Sequence, residues 1–343
     1  MNKKTKNIDV NINLNNIYAQ VLNEHRLVME FKAESYIKQF LDYMKAILQG
    51  SFNSSLRHTG ASTSFQPQLR DIAVTGSTST LRRGLHIGSS ADARSIEDYT
   101  LKNLLTEGFS FGSVAVDNLV SDETNNYFDI YRTVIASDNI TINEIGLMVA
   151  NTATSSFIKC ITSDVLPAEV VLSDSESRTF RYRLKFNDFL ENFGILFQSG
   201  ARHNNASIID TDGNPSSITS GSNISCNANL NETHLGIAVG QGDTPVQRND
   251  YSLDNRYGDN NVFKHLPSLI SNVGVDAGDN TGKVSIVRGF LNVTENPVDV
   301  NEVGLIIGTT DVQTLIHRKV LSSPVTIPAD ELLSVAYNFT IET

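Results

Sequence analysis

The chain of 343 residues has no tryptophan, only two cysteines and fewer basic than acidic side chains. Cys160 and Cys226 are too few for a disulfide framework or a four-ligand structural zinc site, so we expect two buried or half-buried thiols and assembly in a reducing cytoplasm. The formal net charge of −11 argues against a protein that binds nucleic acid or an anionic membrane through a basic face. The absence of tryptophan disfavours a lectin-like platform of aromatic side chains.

Long apolar runs and catalytic motifs are missing as well. No stretch approaches the roughly 20 apolar residues that cross a bilayer. The start of the chain, residues 1–16, has basic residues but no apolar segment behind them, so we expect no secretory signal. Phosphate-binding loops and His-Glu-x-x-His do not occur, and the seven histidines show no ligand spacing. We therefore expect no catalytic residues, no cofactor and no enzymatic activity.

One short segment has a spacing that calcium sites use. Asp210 and Asp212 alternate before Gly213, and such carboxylates can converge on a calcium ion. A calcium loop of the EF-hand type needs a glutamate further on, and Ser216–Ser222 supplies none. The first of the two repeats described below has no equivalent segment. The pattern favours a plain Asp-Gly turn, and we expect no metal site.

What the sequence does contain is a repeat. Asn143–Val149 and Asn301–Ile307 read almost alike, and each is preceded by a glycine-containing strand and an Asp-Tyr-x-Leu segment at a spacing of 152 residues between copies. Val165–Phe186 lies over Val320–Ile341 at a spacing of 155 residues. Segments that keep their order and nearly their spacing indicate a tandem duplication. The residues of this repeated motif are Asn143, Glu144, Gly146, Asn301, Glu302, Gly304, Asp98, Tyr99, Asp250 and Tyr251.

The motif predicts local structure rather than chemistry. Asn143 and Asn301 suit the point where a turn enters a strand, because their side chains can replace a turn hydrogen bond. The glutamate that follows can accept a hydrogen bond from a nearby loop. Gly146 and Gly304 interrupt apolar strands, which indicates a special backbone position such as a bulge, a close approach or a positive φ.

The remaining patterns predict an α+β fold that is mainly β, with one amphipathic helix leading each β-sandwich repeat. Apolar side chains recur at helical intervals in 34–49 and 188–199, where Asn187 or Asp188 could cap the second helix and Gly200 could end it. Alternating segments after each helix predict strands. We expect an N-terminal arm at residues 1–26, a first repeat at 27–186 and a second repeat at 187–343.

The N-terminal arm alternates apolar and polar side chains with a period of two. The apolar members are Ile8, Val10, Ile12 and Leu14. Two interpretations are open: this strand pairs with an edge of its own first repeat, or it crosses to a neighbouring copy and makes these four residues subunit contacts.

The order of motifs resembles the β-domains in structural proteins of tailed-bacteriophage virions. The resemblance covers both repeats and is carried by Leu235–Leu253, Val300–Leu305 and Val320–Ile341, whereas Val165–Phe186 departs from it at Ser173. It implies a non-enzymatic structural subunit of the virion, assembled in the bacterial cytoplasm as a homo-oligomer with portal, neck, tail, baseplate or fibre components. It implies no catalytic residues, no nucleic-acid contact and no membrane. The alternative is a β-rich module that binds a receptor or a carbohydrate.

Overall fold

The computed structural model describes residues 5–14, 16–33, 38–49, 55–58, 61–64, 73–75, 83–95, 98, 100–150, 158–271, 273–276 and 279–342. Strands dominate this part of the chain, and its only α-helices are two, so the predicted mainly β fold is confirmed. The first half contains β1 (Thr5–Asn13), β2 (Ile17–Asn23), β3 (Arg26–Ala33), α1 (Lys38–Gln49), β4 (Ser55–His58), β5 (Ala61–Ser64), β6 (Gly84–Gly88), β7 (Phe109–Phe111), β8 (Ala115–Val116), β9 (Val120–Ser121), β10 (Asn126–Ala136), β11 (Ile140–Ala150), β12 (Ile158–Leu172) and β13 (Ser177–Lys185). The second half contains α2 (Glu191–Arg202), β14 (Ala206–Ile209), β15 (Pro215–Ile218), β16 (Gly236–Gly240), β17 (Phe263–His265), β18 (Leu269–Ile270), β19 (Gly274–Asp276), β20 (Thr281–Asn292), β21 (Val298–Gly308), β22 (Gln313–Ile327) and β23 (Leu332–Glu342).

Each half is a sandwich of two sheets. In the first half, the sheet β3-β2-β13-β10-β7 faces the sheet β12-β11-β6. The hydroxyl of Tyr182 on β13 crosses between them and donates to Oδ2 of Asp164 on β12 at 2.7 Å. In the second half, β1-β23-β20-β17 faces β16-β21-β22. Here Arg288 on β20 donates to the carbonyl of Ile237 on β16 at 2.9 Å. Alternating burial along β13 and β20 follows from one face lying in this core.

The two halves share their strand connections and their irregularities. β11 lies between β6 and β12 as β21 lies between β16 and β22. The β11–β12 ladder changes register at Ile142/Glu144 and again at Leu147/Met148, and the β21–β22 ladder does so at Val300/Glu302 and Leu305/Ile306. Bulges at matching places fit the duplication that the sequence predicts, and common ancestry of the halves stays a prediction.

Both helices lie between the halves rather than over one sheet each. The helix α1 contacts β12 of the first half and β20 of the second, and α2 contacts β10 and β22. Phe40 of α1 meets Phe197 of α2 edge-to-face, with ring centroids 6.3 Å apart. One buried apolar cluster runs through both sandwiches and both helices. The two predicted repeats are therefore separate along the sequence but share one hydrophobic core in the structure.

The ends of α2 differ from the prediction. The helix begins at Glu191, after Leu190, and no side chain caps it, so the expected cap at Asn187 or Asp188 is wrong. Its first backbone N–H groups are satisfied by distant carbonyls instead: Leu190 donates to Ile316, and Glu191 donates to Arg248, each at 2.9 Å. Gly200 lies inside the helix, and the left-handed residue that ends it is His203, with φ of 59°.

The N-terminal arm follows neither of the two expected routes. β1 pairs in parallel with β23, the last strand of the same chain, over the whole register from Thr5↔Leu332 to Asn13↔Thr340. The four apolar residues expected to contact another subunit are buried in the second half of their own chain, namely Ile8, Val10, Ile12 and Leu14. The next strand, β2, pairs with β13 of the first half. β1 thus forms the outer strand of a sheet in the second sandwich, and its apolar side chains complete the core there.

Candidate functional site: the loop anchors of the two halves

The repeated motif builds a buried ion-pair cluster in the second half. Glu302 on β21 is fully buried, and its carboxylate accepts hydrogen bonds from the backbone N–H groups of Gly242 (3.0 Å) and Asn255 (3.1 Å). Nε of Arg318 on β22 donates to Glu302 at 2.8 Å. The same guanidinium reaches Asp250 at 2.8 Å and Asp254 at 2.6 Å. The loop from β16 to β17 is thus fastened to two strands by one carboxylate and one guanidinium.

Electrostatics favour the charged forms of Arg318 and Asp254. Burial by itself would lower the pKa of Arg318, but the hydrogen bonds to Asp250 and Glu302 raise it above its ordinary value. The pKa of Asp254 is lowered, chiefly by the hydrogen bond from Thr244 and then by Arg318. A buried carboxylate that keeps its charge needs such a partner, because an isolated ion in the core is strongly destabilising.

The first half builds the same anchor from a different arginine. Glu144 on β11 is fully buried and accepts the backbone N–H groups of Lys102 (3.1 Å) and Asn103 (2.7 Å). Its ion-pair partner is Arg94, which lies in the loop and also approaches Asp98 at 3.7 Å. The register places Ser163 opposite Gly146, where the second half has Arg318 opposite Gly304. The guanidinium thus comes from a loop in the first half and from a strand in the second, while the glutamate stands at the matching strand position in both.

The glycines of the motif make room for the anchored loop. A Cβ on Gly304 would lie 2.8 Å from a side-chain carbon of Leu253, and one on Gly146 would lie 2.8 Å from Leu101. These leucines are the last residues of the two Asp-Tyr-x-Leu segments. Neither glycine has a positive φ, so the left-handed backbone that was one possibility from the sequence is not present. The special feature of both positions is the close approach of a leucine side chain to the glycine backbone.

The asparagines also hold the loop. Nδ2 of Asn143 donates to the carbonyl of Ser89 at 3.0 Å, and Nδ2 of Asn301 donates to the carbonyl of Gln241 at 2.8 Å. Both lie inside strands, opposite the first change of register, so the expectation that they mark the turn into a strand is wrong. The side chain of each asparagine thus forms a hydrogen bond to the neighbouring loop and does not stabilise a turn that contains the asparagine itself.

The tyrosines of the motif are less alike. Tyr251 is exposed at its rim, and its ring lies against Gly213 of the β14–β15 turn. Tyr99 lies outside the described residues. The structure thus brings together, in each half, the motif's asparagine, glutamate, glycine and aspartate.

Sequence reasoning missed a second repeated pair, Arg132 and Arg288, which are among the largest fully buried side chains. Arg132 on β10 donates to the carbonyls of Gly112 (3.0 Å) and Leu85 (3.4 Å). Arg288 on β20 donates to Leu266 at 3.0 Å and to two carbonyls near β16. Burial lowers the pKa of each arginine to about 10. The sequence signal that could have revealed this pair is an arginine placed two residues after an isoleucine within an apolar strand, a pattern that occurs in both halves.

Buried histidines accompany these clusters without forming a ligand set. Nδ1 of His317 lies 3.1 Å from the hydroxyl of Tyr337, and the rings of His86 and Phe111 meet edge-to-face. Burial lowers the pKa of both imidazoles to about 4. No group of three or more His, Cys, Asp or Glu side chains among the described residues could hold a metal ion.

The segment with calcium-like spacing is a turn between β14 and β15. Oδ1 of Asp210 accepts the N–H groups of Asp212 (3.0 Å) and Asn214 (2.9 Å), and Oδ2 accepts the hydroxyl of Ser216 at 2.8 Å. Gly213 has a positive φ of 85°. The lone pairs of Asp210 are thus used within the hairpin. Cys160 and Cys226 are both buried and unpaired, and burial raises the pKa of each thiol.

Comparison of the chain with family models, with curated proteins and with solved structures gives no match. Neither described helix is long and apolar enough to cross a membrane. The geometry itself says what the site can do. In each half a buried carboxylate, a guanidinium and an asparagine amide bind a loop to the sandwich and so fix the position of that loop.

Proposed function

We propose that the protein is a non-enzymatic structural subunit of a tailed-phage virion, which assembles with copies of itself and with neck, tail, portal or fibre components. Its place in the cell is the host cytoplasm during assembly and the virion afterwards. The proposal rests on the repeated motif described above and on its resemblance to virion β-domains.

The observation that carries the proposal is the way the molecule is fastened together. Two sandwiches share one core and both helices, and the first strand of the chain lies against the last. Buried ion pairs fix the long loops of both halves. A body of this kind holds its surface loops in set positions, which is what a subunit of a symmetric assembly needs.

Sheet edges supply surfaces for such assembly. Within the part of the chain that the structure describes, β3 ends its sheet and pairs on one side only, with Leu27 50% exposed and Val28 58% exposed. Open edges with apolar side chains are avoided in proteins that remain single, because they invite pairing with another chain. An assembly subunit can use such an edge.

A second candidate is a module that binds a receptor or a carbohydrate. A shallow groove of about 510 Å³ lies between α2 and the β14–β15 hairpin, and it is lined by Asn192, Ser207, Ser216 and Ser217 among others. Exposed hydroxyl groups such as those of Ser207 and Ser217 can bind sugar hydroxyls. The groove has no aromatic platform among these residues, so this candidate stands second.

Two measurements on the full chain test the proposal. Light scattering over a wide range of concentration, followed by electron microscopy, should show discrete oligomers, and mass spectrometry of purified phage particles should find the protein. A chain that stays monomeric at every concentration and is absent from particles would overturn the proposal. Saturable binding in a glycan array, abolished by Ser207→Ala combined with Ser217→Ala in the exposed lining of the groove, would favour the second candidate instead.

A further inference from the structure

The strand β3 has an arrangement of side chains that suits a second copy of itself. Its partner on the inner side is β2, where Met29 lies opposite Val21 and Phe31 opposite Ala19. Val21 and Ala19 are fully buried, but Met29 and Phe31 at the sheet edge are only half-buried. The strand therefore directs an incompletely covered apolar stripe towards the core side of its sheet.

The other face of β3 carries charges of opposite sign at alternate positions. Glu30 and Lys32 are both exposed and flank Phe31. The amide of Gln20, on the neighbouring strand, holds the carboxylate of Glu30 in place. The ladder with β2 changes register between Val21 and Leu22, so the regular part of β3 is Met29–Ala33 and the irregular part ends at Val28.

These positions are self-complementary in one register. If two copies of β3 run antiparallel about a two-fold axis at Phe31, Glu30 of each copy lies opposite Lys32 of the other. Met29 then lies opposite Ala33, and the two Phe31 side chains meet at the axis. A register centred on Glu30 instead places the two Glu30 side chains opposite each other, which are like charges. Directly opposed residues on adjacent strands interact, attractively for opposite charges and unfavourably for like ones.

We propose that β3 is an isologous contact between two copies of this chain, formed by antiparallel pairing of Met29–Ala33 about Phe31. The inference rests on the proposed function, since it names the surface through which an assembling subunit meets a second copy. The pairing extends the sheet of the first half across the two-fold axis and covers Met29 and Phe31. Five residues a side make a small interface, so the pair is weak and its population depends on concentration.

Charge reversal tests the register. Glu30→Lys and Lys32→Glu, each alone, should weaken self-association measured by sedimentation equilibrium about ten-fold or more, because two attractive pairs become repulsive. An equimolar mixture of these two variants should associate as well as the parent, since two lysines then face two glutamates. The double variant Glu30→Lys/Lys32→Glu should also associate like the parent. Lys264→Glu, at an exposed site on β17, is the matched control and should change nothing.

A cross-link tests the axis. Phe31→Cys should give a disulfide-linked dimer under mild oxidation, whereas Leu27→Cys on the same strand should not, because only residue 31 meets its own copy. The protein's own thiols, Cys160 and Cys226, are buried and do not compete.

Single reversals that associate like the parent would overturn the β3 contact and leave the proposed function intact, because assembly would then use another surface. Failure of the variant mixture to recover, with both single variants weakened, would overturn the register about Phe31. A parent chain that is monomeric throughout would overturn both the contact and the proposed self-assembly.

Discussion

Removing the guanidinium of Arg318 leaves the buried carboxylate of Glu302 without its ion-pair partner. The resulting loss in the free energy of unfolding can be derived from the structure. Arg318→Met keeps most of the apolar stem but deletes the partner of Glu302, which is fully buried. Breaking a buried ion pair from one side costs about 3–5 kcal/mol. Two backbone N–H groups still solvate the carboxylate, so we expect the lower part of this range, about 3 kcal/mol. The contact with Asp254 adds little, because that side chain is 36% exposed.

The assay is urea unfolding of the parent, of Arg318→Met, of Glu302→Gln and of the double variant. The double variant should be less destabilised than the sum of the two single ones by about 1–3 kcal/mol, since it removes the isolated charge. Lys319→Met, one residue along β22 and exposed, is the matched control and should lie within about 0.5 kcal/mol of the parent. A parent-like free energy of unfolding for Arg318→Met would refute the idea that this cluster anchors the loop.

Three further predictions concern packing, protonation and the arm. Gly304→Ala and Gly146→Ala should each lower the free energy of unfolding by about 1–3 kcal/mol, because the new methyl group meets a leucine at 2.8 Å. Buried His317 and His86, with pKa values of about 4, should each stabilise the fold fully above pH 6.5 and lose about 3 kcal/mol of that contribution as the pH falls towards 4. Deletion of Met1–Asn15 should destabilise the second half as well as affect assembly, since it uncovers β23.

Each of these has a measurement that can contradict it. For the glycines, alanine variants with unchanged urea midpoints would show that the leucines move aside at no cost. For the histidines, urea midpoints that stay constant between pH 6.5 and 4 would refute neutral burial, and His317→Gln should flatten that dependence in part. For the arm, a truncated chain with the hydrogen-exchange protection of the parent along β23 would show that the strand is dispensable to the fold.

The sequence predicted local elements well where one face is regular. Alternation found the strand at Ile8–Leu14, and helical spacing found α1 and α2 to within a few residues. It could not say where the arm goes, because period-two alternation fixes which face is buried but not which sheet buries it. The structure places it against the far end of the chain, a partner that no local pattern indicates.

The candidate site was half predicted for a related reason. Glu144 and Glu302 stand at equivalent positions, so comparison of the two copies found them. Their arginines do not, because Arg94 comes from a loop and Arg318 from a strand, and a guanidinium on a long stem can reach one carboxylate from either. Comparison of equivalent sequence positions therefore finds a residue that stands at the same backbone position in both halves. It misses a residue when only its charged group, and not its backbone, occupies the same place in both halves.

Pairing of the first strand with the last sets an order on folding. Thr5 leaves the ribosome before its partner Leu332, which follows more than three hundred residues later. At cellular rates of synthesis this delay lasts on the order of tens of seconds. Through that time Ile8, Val10 and Ile12 lack their native partner strand, because β23 has not yet been made. Such non-local pairing is slow to form. The second sandwich is therefore closed only after β23 has been synthesised, and a chain cut short before β23 keeps an unpaired apolar strand β1 that chaperones and proteases can recognise.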